Sequence, residues 1–84
     1  MKKSIYTVRD KKIEAYLQPF FEHNDEAAMR IMVNCVNDDN HPFGRSSEDF
    51  TFYKLGEFED TTGKMTLLPE PEHLATLIHL KTKG

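Results

Sequence analysis

Any chemistry in this 84-residue chain would rest on four histidines, one cysteine and a few neighbouring carboxylates. His73 and His79 stand six apart, which puts them on different faces of a helix or on one strand face broken by a turn. Neither they nor His23 and His41 have a second ligand-type residue at a metal-binding spacing, so no metal is expected. Cys35 falls in the apolar stripe of a helix, where a free cysteine behaves as a small core residue rather than as a nucleophile paired with histidine. Glu48 and Asp49 are adjacent, and strand neighbours point to opposite faces. Glu57 and Glu59 can share a face, as acids on an exposed hairpin edge do. The glycines, at 44, 56, 63 and 84, are scattered and form no phosphate-binding loop, dinucleotide fingerprint or nucleophile elbow. The expectation is a protein that binds rather than an enzyme, without a cofactor.

Rings and cations are what remains. Nine residues are Phe or Tyr: Tyr6, Tyr16, Phe20, Phe21, Phe43, Phe50, Phe52, Tyr53 and Phe58. A small sheet has trouble burying all of them. Exposed rings beside cations suit single-stranded nucleic acid, because bases stack on rings while cations hold phosphates. The same surplus also suits a subunit interface.

Five cations (Lys2, Lys3, Arg9, Lys11, Lys12) stand against one acid in residues 1–12, whereas residues 13–80 hold four cations against thirteen acids. Lys81 and Lys83 make the other end basic. If the two ends meet in space they form one positive patch, although the acidic remainder would repel a polyanion.

The elements that would position these groups follow from local pattern. Residues 4–8 are β-branched and aromatic and predict a strand. Pro19 argues against a helix through residues 13–23, so a loop with one helical turn is expected there, its aromatics lying over the core. Asn24 is a good N-cap, Asp25 and Glu26 favour a helix N-terminus, and Ala28, Ile31, Met32, Cys35 and Val36 recur as one stripe. The helix should stop near Asn37, before the polar loop 38–48. Residues 50–55 read as a strand continuing through Glu59, with Gly56 marking a bulge. A turn at 60–63 ending in glycine then leads to a partner strand, 64–68, ended by Pro69 and Pro71. One helical turn near 71–75 and a short strand would complete the chain. The fold class is α+β, a small antiparallel sheet of three to four strands with one amphipathic helix packed on one face.

The chain is long enough for a single domain, residues 1–84, with basic ends. One cysteine excludes an internal disulfide. Met1-Lys2-Lys3-Ser4 has the charge of a signal-peptide start, but no apolar region follows, and no apolar run approaches a membrane span. Cytoplasmic residence and no membrane contact are expected. A domain this small often gains burial by pairing with a copy of itself, so a homo-oligomer is expected too.

Three stretches carry a resemblance. The first is Ile5-Tyr6-Thr7-Val8-Arg9-Asp10 with Glu14-Ala15-Tyr16-Leu17-Gln18-Pro19-Phe20-Phe21. The second is Val36-Asn37-Asp38, then His41, Phe43 and Glu48-Asp49-Phe50-Thr51. The third is Leu55-Gly56-Glu57-Phe58-Glu59-Asp60 followed by Gly63. In this order and spacing, from about residue 5 to residue 68, the chain resembles the small nonstructural protein of gokushoviruses, single-stranded DNA phages of the Microviridae. The resemblance implies a factor of the host cytoplasm that assists viral genome replication or its switch to packaging. The implied partners are viral DNA, the replication initiator or the procapsid, and no catalytic residue is implied.

Two functions follow. In one, the protein binds single-stranded DNA: Lys2, Lys3, Arg9, Lys11 and Lys12, with Arg45, hold phosphate, and Tyr6, Phe20 or Phe43 stacks on bases. In the other, it is an adaptor that docks on the initiator or procapsid through an aromatic patch, without touching DNA.

Overall fold

Strand β1 (Lys2–Asp10) is paired along both edges, and the rest of the chain is arranged around it. The computed structural model describes residues 1–82. On one side β1 meets two short strands, β2 (Ala15–Tyr16) and β3 (Phe20–Glu22). On the other it runs beside β4 (Phe50–Glu59), from the Lys2–Glu59 pair to the Asp10–Phe50 pair. β4 in turn pairs with β5 (Lys64–Thr76). All pairings are antiparallel, so the α+β architecture read from the pattern is the one observed, extended by the two short strands.

Residues 13–23 thus hold two short strands in place of the expected loop with one helical turn. Pro19 does break the pairing, but on either side of it the chain still bonds to the β1 edge. The Leu17 amide donates to the Val8 carbonyl at 2.7 Å, and Phe20 and Phe21 sit opposite Tyr6 and Ile5. The turn into β2 passes through Glu14 with a left-handed backbone (φ 53°).

Helix α1 (Asp25–Val36) starts as its sequence demands, with the Asn24 side chain accepting from the Ala27 amide at 2.8 Å. Its buried stripe is Ala28, Met32 and Val36; Ile31 is exposed and Cys35 only half-buried. The stripe is rotated from the one expected because Met29, on the other flank, packs on the core in place of Ile31. Within the loop 38–48 lies a short helix, α2 (Pro42–Arg45), followed by a 3₁₀ turn at Ser47–Asp49. The core comprises Tyr6, Val8, Phe50 and Phe52 from the sheet, the α1 stripe, and Leu77. Burying each large side chain contributes about 1.5–3 kcal/mol.

The prolines do not end β5. Leu67 pairs with Gly56 and Glu72 with Lys54, so residues 68–71, including Pro69 and Pro71, arch out opposite Leu55 before pairing resumes. A proline on an edge strand leaves no ladder bond unmade. The order expected at the end is also reversed: the strand comes first, through Thr76, and a 3₁₀ turn follows at Leu77–Leu80. Leu77 is fully buried, and that contact outweighs the weak local pattern. Asn37, which caps α1, holds this end by bonding the Leu80 carbonyl and the Thr82 amide. Lys83 lies outside the described residues.

Candidate functional site

Paired residues in an antiparallel sheet share a face, and neighbours along a strand alternate. Val8, Tyr6 and Ser4 therefore lie on the face toward α1, with Phe20, Phe52 and Lys54. Lys3, Ile5, Thr7 and Arg9 point the other way. Beside them on this second face are Tyr16, Phe21, Tyr53 and Phe58, with Met65, Leu67 and His73 from β5.

The second face carries two groups of rings. Tyr53 meets Tyr16 edge-on at 5.5 Å and His73 at 5.9 Å, while the Arg9 guanidinium lies 5.9 Å from the Tyr16 ring centre. Tyr16 is 48% exposed. Further along the strands, Phe21 meets Phe58 at 5.5 Å, with Met65 opposite Phe58.

Charge is sorted between the faces. Among the described residues, the strand positions of the second face include Lys3 and Arg9 and no carboxylate. The chain's fourteen acids lie on the first face, on α1, in turns or in the β5 excursion. A net charge of −3 is therefore compatible with a surface that attracts anions.

The nine residues assigned to phosphate and bases do not come together. Lys2 and Lys3 begin β1, while Lys11 and Lys12 follow its end, roughly 25 Å away at a strand's rise per residue. Lys2 shares a polar groove with Glu57, Glu59 and Lys64. Near it the Met1 ammonium donates to Glu59 and Asp60, and holds the Glu59 carboxyl down to about 2. At the other end Lys12 lies 3.6 Å from Asp49, Arg45 donates to the Asn40 carbonyl, and Lys81 donates to the Gly44 carbonyl. Of the expected cations, Arg9 lies against the Tyr16–Tyr53–His73 cluster, and Lys11 and Lys12 follow it just past the end of β1.

Of the rings expected to stack, Tyr6 belongs to the core, and Phe20 and Phe43 are half-buried against it. Tyr6 is wholly buried, and its hydroxyl donates to Asp25 Oδ1 at 2.6 Å. Burial, then that carboxylate, pushes its pKa up to about 12. Phe20 packs 5.7 Å from Tyr6 and 6.1 Å from Phe52, and Phe43 packs 4.7 Å from Phe50. No base can reach Tyr6 without unfolding the sheet. The reading of sequence passed over Tyr16, Phe21, Tyr53, Phe58 and His73. Strand alternation was the available signal: it separates Tyr6 and Val8 from Thr7 and Arg9, though not which set the helix covers.

The Cys35 thiol is pushed up by burial and by Asp38, away from the thiolate a nucleophile needs. Among the described residues no three His, Cys, Asp or Glu side chains converge as a metal site, and no helix is long and apolar enough to cross a membrane.

Residues 3–80 match the family described as Phage ORF5 protein. No curated protein and no solved structure matches the chain.

Proposed function

Given that the chain belongs to the Phage ORF5 protein family, and is therefore a phage protein, we propose that it binds single-stranded DNA on the open face of its sheet. Bases stack on Tyr16 and Tyr53 beside His73, and Arg9 holds a phosphate, with Lys11 and Lys12 extending the path at the end of β1. The observation that carries this reading is the exclusion of carboxylates from the one face where rings are exposed. Rings supply sequence-tolerant stacking, cations supply phosphate contacts, and no acid occupies a strand position on that face. Duplex bases are already stacked, so single strands are preferred.

The finer assignment is to a gokushovirus-type nonstructural factor acting in the host cytoplasm, in genome replication or its switch to packaging. It rests on the three sequence stretches described above and accords with the family.

Anisotropy of a labelled oligothymidylate is the test. Tyr16→Ala should weaken binding roughly tenfold, and Arg9→Glu should weaken it and flatten its salt dependence. Unchanged affinity in both variants, or duplex bound as tightly as single strand, rejects the reading.

A second reading is an adaptor on the replication initiator or procapsid that never touches DNA. Exposed Met65 and Leu67 favour it, since neither side chain serves a base or a phosphate. Silent oligonucleotide titrations, with an initiator or procapsid pull-down broken by Phe58→Ala, would select it.

A further inference from the structure

Apolar side chains change sides along the sheet. In the half backed by α1, the first face is apolar (Tyr6, Val8, Phe50, Phe52) and the second is mixed. Past Leu55, which has no partner on β1, the order inverts. There the first face holds Lys2, Ser4, Glu57, Glu59, Lys64 and Thr66, and the second holds Ile5, Phe21, Phe58, Met65 and Leu67. An antiparallel ribbon with one apolar and one charged face is patterned to bury the apolar one. Yet Phe21 is 42% exposed, Met65 54% and Leu67 66%.

We propose that this stripe is the interface with a second copy of the chain, the two ribbons packing face to face as the layers of a small β-sandwich. A sheet face needs a second layer, and α1 supplies it only for the other half. The stripe crosses β3, β1, β4 and β5 and has no carboxylate. Its sole charge, Lys3, sits at the strand start, so a two-fold copy meets apolar surface with apolar surface. Four strands about 4.8 Å apart and three to four residues long present roughly 400 Å² per copy once side-chain relief is included. Two copies then bury roughly 800 Å², at the small end for an interface, so the dimer should be weak and transient. Pairing along the β5 edge is the poorer alternative, because Pro69 and Pro71 in the arched segment cannot donate ladder bonds there.

Sedimentation equilibrium across a concentration series, with circular dichroism of each variant, tests this. A monomer–dimer equilibrium is expected, with Leu67→Glu and Met65→Glu each shifting it to monomer while the spectrum is unchanged, as suits such exposed positions. Tyr16→Ala should leave it intact, which separates this interface from the proposed DNA site. A protein that stays monomeric throughout, or a dimer indifferent to both glutamates, overturns the proposal.

Discussion

The helix-backed half of the sheet and the bare ribbon beyond Leu55 share β1, β4 and β5 but are held by different forces. In the first, rings and aliphatic side chains from the sheet, α1 and Leu77 enclose one another. In the second, cross-strand hydrogen bonds, buried Ile5 and the Phe21–Phe58 contact hold the strands, and nearly every residue from Lys64 to His73 is exposed. The strands pair in both halves, whereas burial depends on whether another layer arrives.

The largest effect should come from emptying the enclosed half. Phe52→Ala removes a fully buried ring stacked on Tyr6 and Phe20 and should cost about 3–5 kcal/mol in urea unfolding. Leu67→Ala, measured on dilute protein, should stay within about 0.5 kcal/mol. Comparable losses would abolish the distinction.

Gly56 is where the two regions join. A methyl there would run into the Thr66 carbonyl oxygen and, at 2.8 Å, the Leu67 Cα. Gly56→Ala should cost about 1–3 kcal/mol, with amide exchange rising first in residues 64–68. Exchange rising first near Phe52 would place the joint elsewhere.

Tyr6→Phe deletes the hydroxyl that Asp25 accepts and should cost about 1 kcal/mol. The folded chain holds the Tyr6 proton more tightly than the ordinary value of 10. Its contribution is therefore intact below pH 10 and is lost as pH rises through about 12. Alkaline titration followed by circular dichroism should show a loss that the Phe variant lacks.

The ribbon should show the opposite and smaller sensitivity. Glu59 is held below its ordinary 4.5, at about 2, by the Met1 ammonium and then by Thr61. Its help is complete above pH 4.5 and fades as pH falls through about 2. Glu59→Gln should remove that acid response, read by exchange near residues 59–64.

Short-range signals were legible wherever one residue type decides the backbone. Asn24 announced the helix, Gly56 the irregularity in β4, and Gly63 (φ 74°) the hairpin turn. What escaped depended on long-range pairing. Two- and three-residue strands around Pro19 have no pattern of their own and exist because the β1 edge is free to receive them. Pro69 and Pro71 looked like terminators because a one-dimensional reading has no place for four residues to arch away and return. The candidate site was missed for a similar reason. Tyr6 and Tyr16 are the same residue type near the same lysines, and only the side chosen by α1 buries one and leaves the other half-exposed.

If the proposed DNA site holds, sorting the carboxylates off one face also bears on how fast an anionic strand would arrive. At about 0.01 M salt electrostatic reach is about 30 Å, so the strand feels the whole net-negative molecule. Near 0.15 M that reach shrinks to about 8 Å, comparable to the depth of one packed layer, and the strand would feel chiefly the cations along its own path, Arg9 with Lys11 and Lys12. Encounter should then quicken with added salt before ordinary screening slows it, the reverse of the monotonic decline seen when a uniformly basic protein meets DNA.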